Sequence, residues 1–433
     1  MFTIELTRAG IRRTLFDHSR PAFTRVLALA RAALLARPAP FLVHRVSLRD
    51  RLALPRAAMY GVLRSLLFTL PPNLAHALAL AALWPVEHLA PLRAAVRAAA
   101  HTPDDPRLAV EIMGLRFPSP IGLAAGFDKN ARRIRALAAL GFGHLELGTV
   151  TARPQNANPR PNLFRLPTDR ALVNRLGFPN EGARRVAPRL QAVRGSVRVP
   201  VGVSIGKSRA VPVDALDEVI ADYAEALDCV RPFVDFVVVN VSSPNTEGLR
   251  TLQGREHAHA LLSALKQRAG SSCRLLVKIS SDLDEAQLDR LVSVVQAVAV
   301  DGVVAVNTTV SRNGLRTPRE RLERVGAGGL SGPPLKSVAV ATVQRVRARL
   351  GKGAAIVGVG GVESGDDAIA LLGAGANLVQ LYTALVYQGP FVAARIGREL
   401  LQVLAREGVE QISALGATWP TDEKAKQKAS APR

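Results

Sequence analysis

From residue 121 onward the chain alternates short apolar runs, β-branched or punctuated by glycine, with segments long enough to be helices. The runs are "IGLAAGF", "HLELGTV", "VGVSIG", "DFVVVNVS", "RLLVKIS", "GVVAVNTT", "AAIVGVGG" and "NLVQLYT", beginning at residues 121, 144, 201, 235, 274, 302, 354 and 377. Runs that are apolar at successive positions belong to strands buried on both faces, as in a parallel sheet covered by helices. Eight such units favour a closed (β/α)8 TIM barrel of the α/β class over an open doubly wound sheet. Segments such as "VDALDEVIADYAEALDCV" and "LKSVAVATVQRVRARL" fit the outer helical ring. The open sheet would draw on "GVGGVESG", but a GxGxxG pattern starting at Gly358 has Glu363 where its third glycine should stand.

Polar residues interrupt these runs at their C-terminal ends, the face on which barrels build their sites. Run 1 ends in "GFDKN", run 4 in "NVSSPN", run 6 in "NTT", run 7 in "GVGG" and run 8 in "YT", while run 5 carries Lys278. Asn174, Asn240, Asn245 and Asn307 offer donor and acceptor side by side, which complements the alternating N–H and C=O edge of a pyrimidine or a flavin. Each alone reads as a turn or cap; together they suggest a planar, amide-rich ligand. Gly360 and Gly361, with Tyr382 and Thr383, lie where many barrels bind phosphate. Lys129 and Lys278 are cations in apolar surroundings and need anionic partners. A substrate carboxylate and a reduced flavin would supply them, and so would a structural ion pair. Ser243 has no histidine or acid beside it in sequence, so no hydrolase triad is suggested.

Ahead of the barrel, "YGVLRSLLFTLPPNLAHALALAALW" reads as two apolar helical stretches broken by Pro71 and Pro72. No apolar run approaches the length that spans a bilayer. The formal charge of +22, mostly an arginine excess, fits nucleic acid, an anionic membrane surface or an acidic ligand alike. No nucleic-acid motif or interleaved aromatic platform accompanies it. Cys229 and Cys273 show neither disulfide nor metal-ligand spacing, which fits a reducing compartment and no metal. Residues 1–58 hold eleven arginines against three acids, and are either an amphipathic extension or sequence upstream of a start at Met59. The tail "PTDEKAKQKASAPR" reads as disordered.

"IGLAAGFDKN", "ELGTVTARPQ", "FRLPTDRALVNRLGF", "VNVSSPNTEGLRTLQ", "VKIS", "NTT", "GGLSGPPL", "GVGGV" and "QLYTALVYQGP" closely resemble, in order and spacing over about residues 60–400, the quinone-dependent, membrane-associated class of dihydroorotate dehydrogenases. The resemblance implies an FMN enzyme that oxidises dihydroorotate to orotate in pyrimidine synthesis and passes electrons to a membrane quinone. It implies a peripheral protein on a lipid bilayer surface, at the cytoplasmic face of the inner membrane, with no nucleic acid and no iron–sulfur partner subunit. Carried over, Ser243 is the base that removes the C5 proton. Lys129, Asn174, Arg175, Leu176, Gly177, Phe178, Asn240, Asn245, Asn307 and Thr308 form the substrate cradle. Ala125, Gly126, Phe127, Asp128, Lys129, Thr149, Ser204, Asn240, Lys278, Val306, Gly332, Gly361, Tyr382 and Thr383 contact the flavin. Ser204 and Val306 depart from the pattern, standing where asparagine and threonine are common. His76, Arg165 and Tyr382 match positions lining a quinone tunnel under a helical lid.

The serine separates this class from soluble ones, which carry cysteine in that loop; a soluble flavin barrel with another electron acceptor is the alternative. A hydroxyl is a poor base at neutral pH, so it requires a proton relay and a pocket that excludes bulk water. The expected division is an extension over 1–58, a membrane-docking helical segment over 59–100, an FMN-binding barrel over 101–405 and a tail over 406–433.

Overall fold

A computed structural model describes residues 56–415 apart from Lys352; the expectations for the basic extension up to residue 55 and for the tail from 416 lie outside the described residues. A hairpin of β1 (Val110–Ile112) and β2 (Leu115–Phe117), turned by Met113 and Gly114 at positive φ, precedes the barrel. Eight parallel strands then close on themselves. They are β3 (Ile121–Leu123), β4 (His144–Val150), β7 (Val201–Ile205), β8 (Phe236–Asn240), β9 (Arg274–Lys278), β10 (Gly302–Ala305), β12 (Ala355–Val359) and β13 (Leu378–Leu381). Each falls within one of the eight apolar runs, and the open sheet is thereby excluded.

The strands are buried almost throughout because helices cover their outer face and side chains fill the interior. Two cross-strand pairs show how that interior is filled. Gly122 faces His144, and Gly202 faces Phe236; a Cβ on either glycine would come within 2.1 Å of the opposing ring. The missing side chain makes room for the aromatic one.

The loop after β4 is not merely long. Its β5 (Leu163–Leu166) and β6 (Ala171–Asn174) pair antiparallel, and β11 (Gly329–Ser331) joins them in a three-stranded sheet beside the barrel mouth. This sheet has its own small core of Leu166, Ala171, Val173, Val325 and Leu330.

Among the described residues, four helices precede the barrel: α1 (Arg56–Thr69), α2 (Pro72–Ala82), α3 (Trp84–His88) and α4 (Ala90–Ala100). The break between α1 and α2 falls at the two prolines, with Pro71 as N-cap and Pro72 the first helical residue, where a missing N–H costs nothing. Met59, Val62, Leu63 and Leu66 on α1, and Leu74 and Leu78 on α2, are exposed large apolar side chains at helical spacing. Their other sides dock. The Tyr60 hydroxyl donates to Val386 O at 2.7 Å and Arg64 Nη1 to Tyr387 O at 2.9 Å, both on the Thr383–Gln388 helix. Arg165 on β5 donates to Leu70 O at 2.8 Å and lies 4.5 Å over the Phe68 ring. Arg133 Nε donates to Leu80 O at 2.7 Å. Further along, the buried Glu87 carboxylate on α3 accepts the Ala136 N–H of α5 (Ile134–Ala139) at 2.9 Å.

Candidate active site

The C-terminal ends of the strands surround a cavity. Ser243 and Asn245 reach it from the loop after β8, Asn307 and Thr308 from the end of β10, Lys129 from the loop after β3, and Asn174 from β6. The amides form linked pairs rather than isolated caps. Asn245 Nδ2 donates to Asn174 Oδ1 at 3.1 Å. Asn307 Nδ2 donates to Ser242 Oγ at 2.9 Å and to Asn240 Oδ1 at 3.4 Å, and Asn240 Nδ2 donates to Thr149 Oγ1 at 3.0 Å. Such linkage fixes which edge of each amide faces the cavity.

Ser243 is buried, and its Oγ accepts the Asn245 N–H at 3.2 Å. A donor aimed at that oxygen favours the more anionic form of the hydroxyl. The loop is braced from behind by Arg250, whose Nε donates to Ser242 O at 3.2 Å and Nη2 to Thr308 O at 3.4 Å, while Nη1 lies 2.9 Å from Asp282. One guanidinium thus ties the loops after β8, β9 and β10 together. The sequence reading missed Arg250, although it stands in the quoted "NTEGLR".

Lys129 Nζ donates to Gly126 O at 2.6 Å. Desolvation pulls its pKa from 10.5 down to about 8, with Asp128 partly opposing. The Asp128 carboxylate itself is turned to the N–H groups of Asn130 and Arg133, so it braces the loop instead of closing on the lysine.

Lys278 has a protein partner. Its Nζ lies 3.6 Å from Oε1 of Glu146 on β4, and both groups are buried. Of the two sources of an anion that the sequence left open, the structural ion pair is present. Glu146 was legible as a lone acid in the apolar run "HLELGTV", but it was not singled out.

At the far end, Gly332, Gly361 and Thr383 line the cavity with Ser331, whose Oγ accepts from Thr383 Oγ1 at 2.9 Å. A Cβ on Gly361 would come within 2.9 Å of Lys336 Cβ, and on Gly332 within 2.8 Å of Arg170 O. Both glycines also have positive φ. The wall there is bare main chain, the surface a phosphate requires. Glu363, the residue that breaks the GxGxxG pattern, is bound by Arg170 at 2.8 Å.

Of the other residues singled out in the sequence, Ala125, Gly126, Thr149, Leu176, Gly177, Phe178, Val306 and Tyr382 also line the cavity. Phe127, Asp128, Arg175 and Ser204 do not. Ser204 is buried behind Thr149, 3.0 Å from its hydroxyl. Arg175 turns the other way, donating to Ala327 O at 2.8 Å and lying over the Phe164 ring. Phe127 stands between cavity and helices: its ring is 6.0 Å from Tyr382 and 5.2 Å from His76 on α2, both edge-on. Burial, helped by the Lys129 charge, lowers the His76 pKa to about 3, so this ring is neutral at physiological pH. Burial also raises the Tyr382 phenol to about 12. Arg165 remains outside, clamping the α1–α2 turn.

The barrel and this cavity define a (β/α)8 enzyme whose pocket joins a bare-backbone end, a row of amides and a buried hydroxyl. The chain belongs to the dihydroorotate dehydrogenase family, whose profile matches residues 107–404. It is 49% identical over 369 residues to the dihydroorotate dehydrogenase (quinone) of Halobacterium salinarum, covering 83% of this chain and 99% of that protein. It is 47% identical over 331 residues to the enzyme of the same name from Mycobacterium tuberculosis, covering 76% and 90%. The crystal structure of the Eimeria tenella enzyme in complex with ferulenol superposes with a TM-score of 0.70 at 34% identity, over 79% of this chain and 94% of that one.

Proposed function

We propose that the protein oxidises (S)-dihydroorotate to orotate, with FMN as its prosthetic group and a membrane quinone as electron acceptor, as a step of pyrimidine synthesis. The observation that carries this reading is the placement of Ser243 beside the linked amides, with Lys129 in the same cavity and the glycine-walled end beyond. FMN, when bound, supplies the two-electron acceptor for the C6 hydrogen and the store from which a quinone is reduced. The residues present fit it: Gly332, Gly361 and Thr383 would hold its phosphate, and Thr149, Asn240 and Lys278 its ring.

Ser243 takes the C5 proton. Its burial keeps bulk water from competing; its own hydroxyl proton must leave by a relay as the C5 proton arrives, and the Asn245 N–H, donating to Oγ, favours the oxygen that has given that proton up. Lys129 holds the substrate carboxylate, while Asn174, Asn245, Asn307 and Thr308 hold the ring by its amide edges. The apolar outer face of α1 and α2 supports peripheral docking on a lipid surface; no helix among the described residues is long and apolar enough to cross a membrane. His76, Phe127 and Tyr382 mark the way from that face to the cavity.

The test is the visible spectrum of the purified protein, followed under anaerobic addition of dihydroorotate. A flavin spectrum that bleaches, then recovers on adding a quinone, is expected. A protein that neither carries nor takes up FMN would overturn the proposal.

A further inference from the structure

Every position of β4 is buried, and Glu146 is the one acid in it. A carboxylate in a barrel interior is unfavourable unless something there compensates its charge. Its two partners come from strands that are not its neighbours. Lys278 Nζ, on β9, lies 3.6 Å from Oε1, and Gln380 Nε2, on β13, donates to Oε2 at 2.9 Å. In the barrel β7 and β8 separate β4 from β9, and β3 separates β4 from β13. Glu146 therefore reaches across the barrel interior to two strands that are not its neighbours. Both partners line the cavity, whereas Glu146 stands behind them.

The pairing is incomplete in a telling way. The 3.6 Å separation is longer than a hydrogen bond, Oε1 of Glu146 and Oε1 of Gln380 are buried without hydrogen-bond partners, and no hydrogen bond from described residues engages Lys278 Nζ. An ion pair serving packing alone would close. This one acts through charge and leaves the ammonium donors uncommitted toward the cavity.

We propose that Glu146 is a positioning residue for Lys278: it holds the ammonium at the cavity wall, partly offsets its charge, and so sets the reduction potential of the bound flavin. The inference rests on the FMN reading above. Adding electrons to a flavin places negative charge on the ring, which a neighbouring cation favours and a neighbouring anion opposes. In a water-poor interior both effects are screened by salt much less than at the surface. Glu146 thus holds the potential below the value that Lys278 alone would give.

The experiment is spectroelectrochemical titration of the FMN-loaded enzyme against a reference dye, with FMN content and a thermal melt recorded for each variant. Glu146→Gln, which keeps shape and removes the charge, is expected to raise the reduced-to-oxidised ratio at fixed poise about tenfold, a shift of about +30 mV for a two-electron couple. Lys278→Met is expected to lower it. Should Glu146→Gln fail to fold with Lys278 left unpaired, the double variant with Lys278→Met removes both charges, and its potential is expected above that of Lys278→Met alone. A loaded Glu146→Gln enzyme with unchanged or lower potential overturns the inference, as does a double variant no higher than Lys278→Met. A wild-type protein that takes up no FMN overturns the reading beneath it, and the inference falls with it.

Discussion

Affinity for the carboxylated ligand should collapse as pH rises past the titration of Lys129. Burial moves this lysine from 10.5 to about 8, a penalty of about 3 kcal/mol at 1.36 kcal/mol per pH unit. The sign follows from which form binds. Below about 8 the ammonium is present and a ligand carboxylate pairs with it; above, a proton must first be taken up from solution. A bound carboxylate that restores the lysine to its ordinary value recovers that penalty. Affinity should therefore fall about tenfold per pH unit above 8, and about 300-fold if the whole displacement is reversed. Orotate binding, read by perturbation of the flavin spectrum between about pH 6.5 and 9.5, gives the curve directly. Lys129→Arg, whose guanidinium does not titrate in this range, should flatten it. Lys129→Met should bind weakly at every pH. A wild-type affinity that is level from pH 7 to 9.5, or a Lys129→Met profile that falls just as the wild type does, would refute the reasoning.

Ser243→Ala should retain flavin and slow its reduction by dihydroorotate about 10²–10⁴-fold in stopped flow, with Ser243→Cys partly active; near-normal bleaching in the alanine variant removes the serine from the role of base. Arg250→Met should slow the same step about tenfold, and a cycle with Asp282→Asn should show coupling of about 0.5–3 kcal/mol because both hold one loop cluster; additive effects argue against the brace. Since His76 is depressed to about 3, quinone reduction should show no break near pH 6.5, where an ordinary histidine loses its charge. Removing residues up to Leu83, which spares the Glu87 anchor, should leave dihydroorotate able to reduce the flavin with a soluble dye as final acceptor, yet abolish reduction of long-chain quinone in liposomes. A cut at about residue 98 would remove that anchor and confuse folding with function.

The barrel was legible because strands buried on both faces leave uninterrupted apolar runs, and the polar residues ending them stand out. The three-stranded sheet at the mouth was not. "LFRL", "ALVN" and "GLS" are too short to show a period, and their pairing joins Asn174 to Gly329 across a long stretch of sequence. Asn174, which ends β6, reaches the cavity, whereas the next residue, Arg175, turns toward Ala327. The motif "NRLGF" conveyed the loop as a block and could not convey that alternation. Lys278 announced that it needed an anion, and β4 displayed one; only closure of the barrel brings the two strands across from each other.

Tyr60, Arg64, Arg133 and Arg165 all fasten the helical hairpin by donating to main-chain carbonyls, atoms that every residue type possesses. The grip is therefore blind to the identity of the outward side chains at 59, 62, 63 and 66. Those apolar side chains make none of these bonds. A substitution library across them should pass a selection for folding almost unfiltered, yet be sharply filtered by a selection that demands growth on the protein's own catalysis. The difference between the two survivor sets would be a residue-by-residue map of docking, drawn without a contribution from stability.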